Sequence, residues 1–90
     1  MFDLLAPASF LRRAKKFFCK HSELKGKVAG LLVDLQKDPF QPHLKLYSLR
    51  GKLNGLYAVS ITYSYRLTLT MEIQEESIVL IDIGSHDDVY

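Results

Sequence analysis

The sequence has a single cysteine, Cys19, and lacks both long apolar runs and a high content of glycine or proline. One cysteine excludes an internal disulfide framework and a zinc site built from several cysteines. No run approaches the roughly 18 apolar residues of a membrane-spanning helix. The N-terminus also lacks the basic start and long apolar stretch of a secretory signal. We therefore expect a cytoplasmic protein that does not associate with membranes.

The composition is typical of one small globular domain, which we assign to residues 1–90. Hydrophobic side chains make up 48% of the chain and charged ones 24%, while five glycines and three prolines are too few for a disordered or low-complexity segment. A chain of this length has a modest core that can form without disulfides or a structural metal.

The charges are distributed unevenly along the chain. Residues 1–52 hold eleven basic and four acidic side chains, a formal charge of +7, whereas residues 53–90 hold one basic and six acidic side chains, a formal charge of −5. This asymmetry indicates either an anionic partner for the basic half or a basic helix face that is simply solvated. Arg66 is the single basic residue of the second half.

The first half of the chain predicts a short edge strand at 2–6 and two helices. Two runs of apolar residues follow helical spacing: Phe10, Leu11, Ala14, Phe17 and Phe18, then Leu24, Val28, Leu31, Leu32 and Leu35. Ser9 and Ser22 are the expected N-caps, and Asp38-Pro39 is expected to end the second helix because a residue before proline avoids the α region. The short connection predicts an antiparallel helical hairpin, which Gly30 would allow to pack closely.

From residue 43 onward the apolar period changes to two, which predicts antiparallel strands near 44–49, 57–61, 65–73 and 78–83. The nine residues 65–73 alternate strictly and give the clearest strand signal. The predicted fold class is α+β, with the order β-α-α-β-β-β and the helical hairpin packed on one face of a small antiparallel sheet. The other face, which carries Arg66, is expected to be polar and open.

Three motifs occur in a fixed order: Leu49-Arg50-Gly51, Tyr65-Arg66-Leu67, and Gly84-Ser85-His86 followed by Tyr90. Together with the element order, they resemble the RelE/ParE superfamily of toxins from bacterial toxin–antitoxin modules. The resemblance spans nearly the whole chain. It implies a toxin that is inert when bound by its cognate antitoxin. RelE-like members are metal-independent endoribonucleases that cut messenger RNA, usually on the ribosome, and ParE-like members poison DNA gyrase.

The resemblance also implies catalytic roles for Arg66, His86 and Tyr90. Arg66 resembles the strand arginine that contacts the scissile phosphate, and an arginine fork suits this task because it is always charged and can hold two phosphate oxygens. His86 resembles the tail histidine of several ribonuclease members, and imidazole exchanges protons near neutral pH. Tyr90 resembles the aromatic residue that closes the site, where it can stack on a base or donate its hydroxyl.

Four residues near the proposed site are candidate RNA contacts: Lys45, Tyr47, Arg50 and Lys52. The basic helices could likewise hold RNA phosphates, or could meet an acidic stretch of the antitoxin. Cys19 is expected to be a buried small residue rather than a nucleophile. No cofactor is expected, and a metal site at His86-Asp87-Asp88 is disfavoured because three adjacent residues of a tail rarely converge on one ion.

Two departures from the family pattern leave the general base unassigned. Tyr47 stands where some members carry a histidine, and Ala58 and Ser60 occupy the outward positions where other members carry lysines. Three functions therefore remain open: a messenger-RNA endoribonuclease, a toxin that binds DNA gyrase, and a degenerate member that binds antitoxin without catalysis. The tail histidine and Tyr90 favour the ribonuclease, because a toxin that only binds its target does not need them.

Overall fold

The computed structural model describes residues 1–49 and 55–85. The chain forms β1 (Asp3–Leu5), α1 (Ala8–Lys20), α2 (Lys25–Lys37), β2 (Tyr47–Ser48), β3 (Tyr57–Ser60), β4 (Tyr65–Glu72) and β5 (Ser77–Ser85). Two short 3₁₀ turns, Ser22–Leu24 and Pro42–Leu44, precede α2 and β2. None of the helices in the described ranges is long and apolar enough to cross a membrane.

The strands form one sheet in the order β1-β5-β4-β3-β2. The pairs from β2 to β5 are antiparallel, but β1 pairs with β5 in parallel, so the sheet is mixed rather than wholly antiparallel. Parallel neighbours need a long connection, and the chain between β1 and β5 provides it because it contains both helices and β2 to β4. The predicted α+β fold and the edge position of the first strand are confirmed.

The helix boundaries differ from the prediction at the N-terminal ends. α1 begins directly after Pro7, and α2 begins only after the 3₁₀ turn that starts at Ser22, so neither Ser9 nor Ser22 is an N-cap. Pro7 is the N-cap residue itself, with an extended backbone (φ −61°, ψ 159°) that the fixed φ of proline permits. The predicted end of α2 is confirmed, since Asp38 turns extended ahead of Pro39.

The segment before β3 is less regular than the predicted strand over 44–49. Residues 42–44 form the second 3₁₀ turn, and Lys45 then adopts a left-handed backbone with φ 51°. Such a residue cannot continue a strand, which leaves only two residues of this segment, Tyr47 and Ser48, to pair with β3.

The core lies between the helices and the sheet face that carries Leu67 and Leu69. It consists of Phe10, Ala14, Phe17, Val28, Leu35, Leu44, Val59, Ile61, Leu67, Leu69, Ile78, Leu80 and Ile83. The predicted helical stripes are thus confirmed except at Leu11, which is 55% exposed. Each fully buried leucine stabilises the fold by about 1.5–3 kcal/mol. Cys19 is exposed, contrary to prediction, because it lies beside the stripe of α1 and not on it.

The opposite sheet face, predicted to be open, is only partly so, because Ser60 and Glu72 are exposed but two residues between them are not. Arg66 is 7% exposed and Thr68 is fully buried. β5 also contains an extra residue, because Thr68 pairs with Asp82 while the next residue, Leu69, pairs with Leu80. A bulge of this kind bends the strand and increases its local twist, so strict alternation of the two faces ends there.

Candidate functional site

Arg66 lies on the central strand of the sheet, between Ser60 of β3 and Gly84 of β5. It faces away from Leu67 and the core, because successive side chains of a strand point to opposite faces. Of its two cross-strand neighbours, Ser60 carries only a hydroxymethyl group and Gly84 has no side chain. Both therefore leave lateral space for the guanidinium. The sequence therefore places one large cationic group among small neighbours at the middle of the sheet.

The Arg66 guanidinium is held by Tyr47. Its Nη1 atom donates a hydrogen bond of 3.1 Å to the hydroxyl oxygen of Tyr47. Tyr47 belongs to β2 and pairs with Ala58, whose small buried side chain leaves room for the phenol to reach toward β4. Two residues that the sequence singled out separately are thus in direct contact, and this contact contributes to the unexpected burial of Arg66.

The chemistry of this contact suits a group that orients a cation. A hydrogen bond from an ionised donor is shorter and stronger than one between neutral groups. A phenolic oxygen fixes the direction of the guanidinium plane but brings no negative charge of its own, unlike a carboxylate. A guanidinium has five N–H donors, so one bond to Tyr47 restricts its orientation without changing its charge.

The remaining predicted site residues fall into two groups. Lys45 is exposed and lies two residues before Tyr47, so both belong to the short segment that leads into the sheet edge. Arg50, Lys52, His86 and Tyr90 lie outside the described residues. The structure therefore brings Tyr47 and Arg66 together and places Lys45 on the adjoining backbone.

The outward positions of β3 differ from expectation in one respect. Ser60 is exposed beside Arg66, but Ala58 is fully buried although it was expected on an open face. Tyr47 is its partner on β2, and Thr68 on β4 is its other neighbour, so Ala58 is enclosed from both sides.

His43 contacts α2 through Asp34. Its Nε2 atom lies 3.0 Å from the Oδ2 atom of Asp34, at the surface of the protein. Within residues 1–49 and 55–85, no three His, Cys, Asp or Glu side chains are grouped closely enough to hold one metal ion.

The sequence interpretation missed a groove on the helix side of the sheet. This groove, of about 570 Å³, lies between α1 and the adjoining ends of β4 and β5. Its lining consists of Arg13, Lys16, Phe17, Lys20, His21, Tyr65, Asp82, Ile83, Gly84 and Ser85. His21, which lies between the two helices, is half-buried against the rings of Phe17 and Tyr65. The four-residue spacing of Phe17 and His21 is the signal that could have indicated this contact.

The strand order and the two helices between β1 and β2 define a small α+β fold that solved structures of other proteins share. A copper-bound mutant toxin from Helicobacter pylori has this fold, with a TM-score of 0.82, 20% sequence identity and 100% of each chain covered. YafQ from E. coli has a TM-score of 0.81 and 14% identity, covering 100% of this chain and 99% of its own. YoeB in the YoeB-YefM complex from Staphylococcus aureus has a TM-score of 0.74 and 18% identity, covering 96% of this chain and 98% of its own.

No protein-family model matches the chain, and no curated protein sequence matches it. At identities of 20% and below, the structural likeness establishes the fold. The chain has the fold of RelE-like toxins, and the resemblance predicted from its three motifs is confirmed at that level.

Proposed function

We propose that this chain is the toxin of a toxin–antitoxin pair and acts as a metal-independent endoribonuclease on messenger RNA at the ribosome. The observation that carries the proposal is the Arg66 guanidinium, held by the Tyr47 hydroxyl at 3.1 Å on the central strand of a RelE-like toxin fold. A buried and oriented cation is costly to maintain for stability alone, and it suits a reaction that develops negative charge.

The proposed reaction uses the RNA as its own nucleophile. The ribose 2′-oxygen forms a bond to the adjacent phosphorus, and the bond from phosphorus to the 5′-oxygen of the next nucleotide breaks. The products are a 2′,3′-cyclic phosphate and a free 5′-hydroxyl. Arg66 stabilises the extra negative charge on the phosphate oxygens in the transition state, because a guanidinium fork matches two such oxygens at once.

One of the two proton transfers is assigned to a side chain, on the resemblance alone. His86 gives a proton to the departing 5′-oxygen, since imidazole is suited to acid–base work near neutral pH. Tyr90 positions a base by stacking or assists with its hydroxyl. Lys45, Arg50 and Lys52 hold flanking phosphates, which fixes the register of the RNA without reading its sequence. Removal of the 2′-hydroxyl proton is not assigned to a side chain.

The burial of Arg66 adds a condition to this mechanism. A phosphate cannot form two hydrogen bonds with a guanidinium that is 7% exposed unless the groups covering it move. A shift of β2 that keeps the Tyr47 hydroxyl bonded to Arg66 is one such movement, because β2 is a two-residue strand at the sheet edge. Substrate binding and a movement of this sheet edge are therefore coupled in the proposed cycle.

The proposed protein partner is a cognate antitoxin. The YoeB-YefM complex from Staphylococcus aureus provides a toxin of this fold bound to its antitoxin. In the present chain, β1 lies at the edge of the sheet and pairs on one side with β5. An edge strand can accept a further strand from a partner, and the exposed helix faces can accept a partner helix.

Translation of a reporter messenger RNA in a purified system, followed by mapping of the new 5′ ends, tests the proposal. We expect cuts in phase with codons, and an Arg66→Ala variant should cut about 10²–10³-fold more slowly. Lys37→Ala is the matched control, because Lys37 is an exposed cation at the end of α2. Circular dichroism shows whether each variant is folded.

Two other results would contradict the proposed activity. Intact RNA together with gyrase-dependent DNA breaks would identify a gyrase toxin. Intact RNA and intact DNA, with tight binding to an antitoxin encoded beside this chain, would identify a member without catalysis. A folded Arg66→Ala variant that cuts RNA at the full rate would refute the role of Arg66.

A further inference from the structure

We propose that the groove between α1 and the ends of β4 and β5 binds one nucleotide of single-stranded RNA next to the cleavage point. Lys16 and Lys20 would contact its phosphate, and the rings of His21 and Tyr65 would contact its base. This inference rests on the proposed function, because it names a second contact region for the same RNA substrate. The groove volume of about 570 Å³ falls within the range of small-molecule sites.

The charge of the groove favours an anion. Lys16 and Lys20 are four residues apart on α1, so they share one helix face, and both are exposed. The carboxylate of the lining, Asp82, forms an ion pair of 3.1 Å with Arg13 and is mostly covered. Because Arg13 compensates this carboxylate, the two lysines determine the charge that an incoming ligand meets.

The aromatic side chains of the groove favour a ligand with a planar face. The His21 ring centroid lies 4.7 Å from that of Phe17 and 4.5 Å from that of Tyr65, and the two latter rings are 5.3 Å apart. Phe17 is buried beneath this cluster, while His21 and Tyr65 are half-buried and keep part of their surface at the groove. Stacking of bases on such rings is the common basis of single-strand recognition.

The groove is adjacent to Arg66 along the backbone. Tyr65 directly precedes Arg66 on β4, and consecutive Cα atoms are about 3.8 Å apart. Gly84, which pairs with Arg66, also lines the groove. Arg66 and the groove therefore lie on opposite faces of the same strand end, and an RNA strand that crosses this end contacts both.

The combination of rings and lysines distinguishes RNA from an acidic peptide. A run of glutamate or aspartate would use the two lysines but has no planar group for His21 and Tyr65. A nucleotide uses both features, because its phosphate and its base are joined by one ribose. The observations thus favour RNA, and an acidic peptide is an alternative result of the experiments.

The charge contribution is tested by equilibrium binding of a mixed-sequence RNA decamer with 2′-O-methyl groups, which cannot be cleaved because its nucleophile is blocked. We expect Lys16→Ala/Lys20→Ala to weaken binding at least tenfold and to reduce the slope of log affinity against log salt by about 0.7, the contribution of one single-strand phosphate. Lys25→Ala/Lys27→Ala is the matched control, because these exposed lysines lie on α2 outside the groove. Equal losses in the two double variants would refute a site at the groove.

The stacking contribution is tested with 2-aminopurine in the same decamer, since its fluorescence falls when the base stacks. We expect quenching with the unmodified protein, and less quenching with about tenfold weaker binding for His21→Ala. His43→Ala is the matched control, because His43 is exposed and bonds to Asp34 away from the groove. Unchanged quenching in a folded His21→Ala variant would refute the base contact.

The outcomes separate this inference from the proposed activity. RNA binding that depends on the groove, together with no cleavage of messenger RNA, would refute the activity alone. Cleavage at the normal rate, with groove variants that bind RNA as tightly as their controls, would refute the groove alone. A decaglutamate peptide that binds through Lys16 and Lys20, with RNA binding unaffected by their replacement, would identify a peptide site instead.

Discussion

At the scale of single residues, the pair of Tyr47 and Arg66 determines how the candidate site can work. A buried charge destabilises a fold unless hydrogen bonds replace its lost hydration. The Tyr47 hydroxyl supplies one such bond at 3.1 Å and at the same time sets the direction of the guanidinium. The same contact thus supports stability in the free protein and orientation in the proposed reaction.

Replacement of Tyr47 by Phe removes the hydroxyl and keeps the ring. We expect the cleavage step to slow about tenfold with little change in RNA affinity, because a hydrogen bond from a charged donor contributes about 1.5–3 kcal/mol and part of this energy orients Arg66. Tyr63→Phe is the control, since Tyr63 is fully exposed. Single-turnover cleavage of ribosome-bound RNA is the measurement, and equal rates for the two variants would show that Tyr47 does not position Arg66.

Thr68 lies on the same sheet face as Arg66, and its burial affects the stability of the protein. Its side chain is fully buried, and its Oγ1 atom has no hydrogen-bond partner within the described ranges. We expect Thr68→Val to raise the free energy of unfolding by about 1 kcal/mol, because valine has the same shape without a desolvated hydroxyl. Thr70→Val, a half-buried position on the same strand face, should change it less. Urea unfolding measures both, and a destabilised Thr68→Val variant would contradict this account.

The sequence identified Arg66 but not its surroundings. Arg66 was distinctive because it is the single cation of the acidic half, and composition alone reveals this. Its contact with Tyr47 depends on the register between β2 and β3, which local sequence patterns do not encode. The burial of Thr68 follows from the same long-range pairing, which is why a polar strand face was wrongly expected to be fully open.

At the scale of elements, the packing role predicted for a glycine of α2 was wrong. Gly30 was expected to permit a close approach of the two helices. Both Gly26 and Gly30 are exposed, however, and a Cβ atom at either position would meet nothing within 4 Å. α2 contacts the core through Val28 and Leu35 on its other face, so its two glycines weaken the helix without a packing benefit.

Alanine at Gly26 and Gly30 should therefore stabilise the protein. We expect about 1 kcal/mol for each replacement, which for a domain of this size corresponds to a rise in Tm of roughly 4–8 °C. Gly55→Ala should lower Tm instead, because Gly55 has a φ of 93°, a conformation that alanine adopts only with strain. Thermal melts followed by circular dichroism measure all three, and an unchanged Tm for the α2 double variant would show that another cost offsets the gain.

The types of the elements were predictable, whereas their ends and directions were less so. Apolar residues recur about every 3.6 positions in the helices and every two positions in β3, β4 and β5. The spacing differs because each element buries one face, and the geometry of a helix or a strand sets how often a residue falls on that face. A period does not encode strand direction, so the parallel pairing of β1 with β5 could not be read from it. The shortness of β2 depends on the left-handed backbone of Lys45, and no sequence signal indicated that conformation.

At the scale of the whole molecule, the uneven charges become two separate poles. The exposed lysines of α1 lie beside the groove at one end of the β4–β5 pair, whereas Glu72, Glu75 and Glu76 lie at the turn that joins the other ends of these strands. Eight residues of β4 span roughly 24 Å at about 3.4 Å for each step. This separation is large in a molecule that measures 36 × 29 × 26 Å.

The separation of the poles predicts a specific dependence of RNA association on salt. At 0.15 M salt the Debye length is about 8 Å, so the acidic turn should not influence an RNA strand that approaches the basic pole. At 0.01 M salt it is about 30 Å, and the same carboxylates should repel the strand and slow its approach. We expect Glu72→Gln/Glu75→Gln to leave the association rate unchanged at the higher salt concentration and to raise it severalfold at the lower one.

Stopped-flow association with the 2′-O-methyl decamer provides the measurement. Glu76 is left in place because its carboxylate contacts the N-terminal amine at 3.3 Å, so its removal would alter β1 as well as the charge. Asp3→Asn should show the same dependence on salt, because Asp3 pairs with Ser77 beside the acidic turn and its backbone bonds to that of Glu76. An increase of equal size at both salt concentrations would mean that the acidic turn contacts the RNA directly, and the separation of the two poles would then not govern association.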